Sequence, residues 1–153
     1  MKYSPPPAVL IGALVLLSAM ANAQVSLSAI ARQLFEQVNA ARKADGLPLL
    51  TWDDALARAA LWHAQVMAAR GFLAHQFPGE TNLRGRARRA GIRYNWLAEN
   101  VAQGRDPNRI HQALMNSPPH RANLLDVKLN SVGICVAERF GELFVVEDFS
   151  QPR

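Results

Sequence analysis

The feature that most constrains the fold is a pair of apolar segments near the end of the chain. In residues 132–137, Val and Ile alternate with Gly, Cys and Ala, and a second apolar run covers residues 143–146. Gly141 lies between them, where a hairpin turn is expected. Both faces of this hairpin are apolar or small, so both must be covered. Because helices precede it, we predict an α/β fold: a single-domain, three-layer α-β-α sandwich with a small, mainly antiparallel sheet.

Two long helices are predicted in the first half of the chain. Ser26 is expected to cap a helix with a regular apolar stripe that ends near Ala44. Thr51 and Asp54 fit a capping box, with Thr51 as the N-cap of a second helix that runs to about Arg70 and stops at the following glycine. These helices supply covering layers for the sheet.

Shorter elements are predicted between the second helix and the hairpin. Residues 82–90 read as a short, very basic helix, and residues 97–101 as a short strand. Asp106 and Pro107 provide a cap and a first helical residue for a further helix. That helix is expected to end near Asn116, because two prolines follow shortly after it.

The N-terminus has the pattern of a secretory signal peptide at residues 1–23. Lys2 supplies the positive charge, residues 8–20 are almost wholly apolar, and residues 21–23 form an A-x-A cleavage site. The apolar run is shorter than the roughly 20 residues of a membrane span. We therefore expect a secreted or periplasmic domain at residues 24–153 with no membrane span after cleavage. The alternative is an uncleaved N-terminal anchor.

The basic residues are concentrated in one region of a chain with a formal net charge of +5. This cluster comprises Arg84, Arg86, Arg88, Arg89 and Arg93. It can form a patch for phosphate or another anionic component of the envelope, or a solvated helix face, which the pattern favours. The exported context and the scarcity of interleaved aromatic residues argue against nucleic acid as a partner.

Three residues outside the motifs carry chemical groups that need an interpretation. Cys135 is the only cysteine, so no internal disulfide can form, and its apolar neighbours predict a buried, unreactive thiol. His63 lies on the apolar stripe of the second predicted helix and is interpreted as a hydrogen-bonded core residue. His111 is expected at or near the surface without a functional role.

Three segments place ionisable residues at the edges of apolar elements. They read GFLAH at residues 71–75, AENVA at residues 98–102 and NSPPHRANLL at residues 116–125. Loops on rigid elements are where binding and catalytic sites are usually built. These segments are therefore the candidate functional regions.

In this order and at this spacing, the segments resemble those of the CAP superfamily, named for cysteine-rich secretory, antigen 5 and pathogenesis-related proteins. Bacterial members commonly carry a G-F-x-x-H-like segment, then E-N-[IV]-A, then S-P-x-H-R-x-N-[IL]-[LM], then a terminal hairpin. The resemblance covers residues 34–149. It implies an α-β-α sandwich with a cleft lined by two histidines and two acidic residues.

By motif, His75 and His120 match the two cleft histidines of the family, and Glu99 matches one of the acids. In eukaryotic members the other acid lies three residues after a tryptophan on the helix before the second histidine. Here Leu114 stands in the tryptophan position and Ser117 in that of the acid. The tetrad is therefore incomplete, which weakens the acid–base chemistry proposed for the family, so no residue is assigned firmly as catalytic.

The residues themselves allow three kinds of site. His75 and His120 can bind a divalent metal such as zinc through neutral imidazoles, with Glu99 as a third ligand or as a group that orients a histidine. Glu99 with a histidine can instead act as general base and acid. The third interpretation is a buried polar network that ties loops together.

The predicted function is a ligand-binding or interaction module at the cell envelope or outside the cell. The family resemblance implies sterol or lipid binding and a part in host–microbe interaction. The expected partner is therefore a small lipid-like or envelope ligand, or another protein. The alternative is a metal-dependent hydrolase that uses the same three residues.

Overall fold

The protein is described here by a computed structural model that covers residues 7–153, with the side chains of residue 24 and residues 26–153. The predicted signal at residues 1–23 lies outside the described side chains. Within the described residues, no helix is both long and apolar enough to cross a bilayer. The elements, in chain order, are α1 (Pro7–Ala44), β1 (Thr51–Trp52), α2 (Asp54–Arg70), α3 (Leu83–Arg89), β2 (Tyr94–Gly104), α4 (Pro107–Asn116), α5 (Pro118–Leu124), β3 (Ser131–Arg139) and β4 (Glu142–Pro152).

The four strands form one mixed sheet in the order β1-β3-β4-β2. The pairing of β1 with β3 is parallel, and the other two pairings are antiparallel. In the ladder of β2 and β4, Glu99 lies opposite Asp148 and Asn100 lies opposite Glu147. Because neighbouring residues of a strand point to opposite faces, these two pairs lie on opposite faces of the sheet.

Helices cover both faces of the sheet, which confirms the predicted three-layer sandwich. Helix α2 packs on one face, against strand residues such as Val101 and Val146. Helices α1, α4 and α5 cover the other face, where Ile134 and the fully buried Phe149 lie. The approach of α2 is close, because a Cβ atom at Gly133 would lie 2.0 Å from the backbone nitrogen of Ala57.

The predicted helix starts need two corrections. Asp53, not Thr51, caps α2, and its carboxylate accepts hydrogen bonds from the backbone N–H groups of Ala55 at 2.7 Å and Leu56 at 3.0 Å. Thr51 is unavailable as a cap because it pairs with β3 in the short strand β1. Ser26 does not begin a helix, since α1 already runs from Pro7, through a segment rich in good helix formers.

The predicted helix ends agree with the structure. Gly71 follows α2 at a φ of 67°, and its N–H donates to carbonyls of the last turn, at 2.8 Å for that of Met67. Helix α4 begins after the Asp106 cap and ends at Asn116. A further short helix, α5, follows from Pro118 and was not predicted. Proline is tolerated at the first positions of a helix, because the N–H group that it lacks would have no partner within the helix there.

A buried arginine fastens α1 to the end of α5. The side chain of Arg42 is fully buried and donates to the carbonyls of Pro48, Leu124, Asp126 and Leu129 at 2.8 to 3.2 Å. A charged group can be buried in the core when hydrogen bonds satisfy its donors, as these carbonyls do for the guanidinium group. The contact holds the end of α5 against α1.

Of the predictions made for single residues, the one for His63 agrees with the structure and the one for Cys135 does not. His63 is fully buried, with Nδ1 2.6 Å from the Glu80 carboxylate and Nε2 2.7 Å from the Ala74 carbonyl, so it is the core residue that was predicted. His111 is half-buried. Cys135 is also half-buried, rather than buried as its apolar neighbours predict. Even so, desolvation raises the pKa of its thiol to about 11.

Candidate functional site

On the α2 face of the sheet, Glu99 holds His75 in place. His75 lies in the loop that follows α2, and its Nδ1 is 2.9 Å from Oε1 of Glu99. The His75 side chain is 59% exposed, whereas the Glu99 side chain is only 5% exposed. The other carboxylate oxygen, Oε2, accepts a hydrogen bond from Nη2 of Arg86. Both oxygens of Glu99 are therefore engaged.

Arg86 is one of the site residues that the motifs do not indicate. Its place in an arginine-rich segment predicts a surface residue, but Arg86 is buried on α3, whereas Arg84, Arg88, Arg89 and Arg93 are exposed. A signal for this was present. Leu83, Arg86, Ala87 and Ala90 follow helical spacing and form the inward stripe of α3. An arginine on such a stripe needs buried acceptors, and Glu99 is one of them here.

Asp148, on strand β4, lies opposite Glu99 in the ladder and was not predicted as a site residue. It is fully buried opposite Glu99 on the same face of the sheet. Burial, and then the charge of Glu99, raise the pKa of Asp148 well above its usual range. Arg86 opposes this effect. Burial and the charge of Glu99 thus shift Asp148 toward its neutral form beside the Arg86–Glu99 ion pair.

On the opposite face of the sheet, amide side chains connect β2 to α5. Asn100 is fully buried, and its Nδ2 donates to the His120 carbonyl at 3.2 Å and to Oε2 of Glu147 at 3.1 Å. Its Oδ1 accepts from Nδ2 of Asn123 at 2.9 Å. The Asn123 amide also donates to the Glu99 carbonyl at 3.2 Å. These contacts fix α5, and with it His120, against the strand.

Glu147 is the buried acid of this second network. Its side chain is fully buried, and Oε1 has no hydrogen-bond partner among the described residues. Desolvation raises its pKa to about 7, although the hydrogen bond from Asn100 lowers it. Its charge state therefore changes near neutral pH.

The two histidines meet beside β2, although they come from opposite layers. Their ring centroids are 6.5 Å apart and their planes are inclined by 28°. Helix α5 and the loop after α2 can approach each other here because β2 is an edge strand. Nδ1 of His120 is 2.9 Å from Oγ of Ser117, the residue in the position of the missing family acid. The structure therefore brings His75, Glu99 and His120 together.

The two imidazoles differ electrostatically. The hydrogen bond to Glu99 raises the pKa of His75, although burial acts in the opposite direction. Burial lowers the pKa of His120, and the charge of His75 lowers it further. With each Nδ1 engaged, the Nε2 atoms are left, and neither has a hydrogen bond in the described part of the chain. One imidazole thus favours the cationic form and the other the neutral form.

As a metal site, this arrangement offers two ligands. The Nε2 atoms of His75 and His120 are suitable donors, but both Glu99 oxygens are occupied by hydrogen bonds. Across the described residues, no group of three or more His, Cys, Asp or Glu side chains is placed to hold a metal. A catalytic zinc ordinarily has three protein ligands. The donor set therefore does not favour the metal-dependent hydrolase, and Glu99 has the geometry of an orienting group.

Comparison with known proteins places this fold and motif set in a family. The model of the cysteine-rich secretory protein family, CAP, matches residues 35–149. The uncharacterized protein YkwD of Bacillus subtilis (strain 168) is 31% identical over 118 residues, which are 76% of this chain and 46% of YkwD. The chain therefore spans less than half the length of that relative.

Solved structures give the same result. An extracellular protein containing an SCP domain, from Bacillus anthracis str. Ames, superposes with a TM-score of 0.76 at 28% identity, over 82% of this chain and 41% of that one. An outer surface protein from Borrelia burgdorferi shares the fold, with a TM-score of 0.74 at 24% identity, over 80% of this chain and 92% of that one. By family match, sequence relative and fold together, the chain belongs to the cysteine-rich secretory protein (CAP) family.

Proposed function

We propose that this protein is an exported binding module, acting at the cell envelope or outside the cell, that holds a small polar ligand at the Nε2 atoms of His75 and His120. The signal pattern at residues 1–23 supports export. So does the similarity to a Bacillus anthracis protein described as extracellular.

The observation that carries the proposal is the paired arrangement of the two imidazoles. Glu99 orients His75 and Ser117 orients His120, each through Nδ1, so both Nε2 atoms remain for a ligand. The rings are already 6.5 Å apart. Groups that are held by a supporting shell before the ligand arrives bind without the cost of ordering them.

A divalent ion such as zinc fits this proposal as part of the ligand. Nε2 of His75 and Nε2 of His120 would hold it, and the ion would supply a coordination bond to a ligand oxygen. Two protein ligands predict weak to moderate binding, well below that of a four-ligand structural site. Folding should survive chelation, because the sandwich core is built from apolar side chains on both faces of the sheet.

The test is a zinc titration by calorimetry, on the parent, His75→Ala and His120→Ala, at about pH 8 and about pH 5. The matched control is His111→Ala, which removes a half-buried histidine from α4. We expect binding at the higher pH only, because protonated imidazole cannot ligate. Each site variant should weaken binding by about tenfold or more, and the control by less than about twofold. Equal affinity in all four proteins would refute the site.

If the parent binds no zinc, the ion is not part of the ligand, and binding of an organic ligand is tested instead. The probes are then sugars, amino acids and phosphate esters, screened by NMR through the imidazole resonances. A ligand of this site should shift the signals of His75 and His120 and leave those of His111 unchanged. If no probe from these classes perturbs the pair more than His111, the proposed binding function is wrong.

A further inference from the structure

A second concave site lies where α3 and the ends of two strands meet. It is a cavity of about 450 Å³ lined by Arg88, Ile92, Arg93, Tyr94 and Arg153. Its walls come from separate parts of the chain, because Tyr94 begins β2 and Arg153 follows β4. The two strand ends are joined at this point: Tyr94 pairs with Pro152, and the Arg153 N–H donates to the Arg93 carbonyl at 3.3 Å.

The arginines of α3 lie on different sides of the helix. Arg86 and Arg88 are two residues apart, which places them about 200° apart around the helix. Arg86 is buried against Glu99, and Arg88 is exposed at the cavity. The chain then reverses at Gly91, which has a φ of 85°, and the Ile92 N–H closes the turn on the Ala87 carbonyl at 3.0 Å. This turn brings Arg93 back toward Arg88.

The cavity is lined by three arginine side chains. None of its lining residues is acidic. In the part of the chain that the structure describes, the ion pairs involve none of Arg88, Arg93 and Arg153. Neighbouring arginines differ: Arg86 pairs with Glu99, and the Arg89 guanidinium lies 4.7 Å from the ring centroid of Trp62. A concave surface with unbalanced charge of one sign concentrates counter-ions.

We infer that this cavity binds a phosphate-bearing anion. The planar guanidinium group donates two parallel hydrogen bonds to phosphate oxygens, and three such groups match a phosphate ester, which carries nearly two negative charges and three acceptor oxygens. The Tyr94 hydroxyl adds a further donor. The volume lies within the range of about 300 to 1,000 Å³ that is usual for small-ligand sites.

This site is separate from the histidine pair, and the inference does not depend on the proposed function. The same phosphate chemistry occurs in soluble phosphate esters and in the headgroups of anionic phospholipids. Both sources are therefore included in the test.

The test compares Arg88→Gln and Arg93→Gln with a matched control, Arg84→Gln. Arg84 is an exposed arginine of the same helix that does not line the cavity, so the control makes the same change in net charge. Calorimetry with inorganic phosphate and with glucose 1-phosphate gives the affinities. We expect the two site variants to bind about tenfold more weakly or worse, and the control to stay within about twofold of the parent. Unchanged melting temperatures show that all variants fold.

Arg93→Lys separates a built site from general attraction, because it keeps the charge and removes the bidentate fork. We expect this variant to lose several-fold in affinity. If Arg84→Gln weakens binding as much as Arg93→Gln, and Arg93→Lys has no effect, only the overall positive field attracts the anion and the inference fails.

Co-sedimentation with phosphatidylcholine vesicles, with and without phosphatidylglycerol, distinguishes the source of the phosphate. Binding to glucose 1-phosphate that falls in the two site variants supports a soluble ligand. Binding only to vesicles with phosphatidylglycerol, with the same losses, supports a lipid headgroup. If the parent binds neither the soluble phosphates nor these vesicles at low ionic strength, the inference is overturned.

Discussion

The two faces of the β2–β4 ladder both bury carboxyl groups, but they stabilise them differently. On the α2 face, Glu99 lies opposite Asp148 and pairs with the cation of Arg86. On the other face, Glu147 lies opposite Asn100 and receives a hydrogen bond from its neutral amide. One network is therefore ionic, and the other is built on amides.

The difference corresponds to what each network holds. The ionic network supports His75, whose side chain is 59% exposed on a loop, and places a charge next to its Nδ1. The amide network holds the backbone of α5 through the His120 carbonyl, and none of the ion pairs found among the described residues involves that imidazole. A charged partner favours the protonated imidazole, and burial without one favours the neutral form. The faces therefore give the paired histidines opposite pKa shifts.

Breaking the ionic network should have the largest effect on stability. Arg86→Met leaves the buried carboxylate of Glu99 without its cation, and removal of one partner of a buried ion pair typically costs ~3–5 kcal/mol. Chemical denaturation at neutral pH measures the loss. Arg84→Met, on the exposed side of the same helix, should change stability by less than about 0.5 kcal/mol. Similar small losses in both variants would show that the ion pair does not support the fold.

The amide network should show its effect through pH. The pKa of Glu147 is about 7 in the folded protein, against an ordinary value of 4.5, so the folded state binds more protons between these values. Considering the Glu147 carboxyl alone, the free energy of unfolding should therefore be highest below about pH 4.5. It should fall by up to about 3 kcal/mol as the pH rises through 7. Asp148, whose pKa is also raised, adds to the fall.

Glu147→Gln removes this titration and is the matched test. Denaturant unfolding of the parent and the variant from about pH 5 to about pH 8 should show a smaller decline in the variant. If both proteins lose stability in parallel over this range, the Glu147 carboxyl is not the group responsible.

Loss of the central amide should have a smaller effect than loss of the ion pair. Asn100→Ala leaves the Glu147 carboxyl without its hydrogen-bond donor and removes the contact to the His120 carbonyl, at a cost of about 2 kcal/mol. Asn95→Ala, at an exposed position of the same strand, is the control and should cost less than about 0.5 kcal/mol. A loss above that of Arg86→Met would reverse the ranking of the two networks.

Much of the architecture could be predicted because local chemistry determines it. The helix end at Gly71 follows from its left-handed conformation, and the start at Asp106 from its capping carboxylate. The apolar character of both faces of the hairpin predicts covering helices. Strand β1 was missed because its two residues are defined only by parallel pairing with a distant strand. A two-residue strand has no periodicity to detect.

The site was only partly predictable for a related reason. His75, Glu99 and His120 stand in motifs and could be singled out. Arg86 and Asp148 could not be assigned, because their role depends on which face of the sheet each one reaches and on the register that sets Glu99 opposite Asp148. Such long-range pairings arise from tertiary packing.

The property that distinguishes the two networks is that they give the paired imidazoles of His75 and His120 opposite electrostatic environments. NMR titration of the imidazole resonances in the parent, Glu99→Gln and His75→Gln tests it most directly. We expect the pKa of His75 to lie above the ordinary 6.5 and that of His120 to lie below it. Glu99→Gln should lower the pKa of His75, and His75→Gln should raise that of His120. Two histidines that both titrate near 6.5, unaffected by either substitution, would show that the two networks do not set these pKa values.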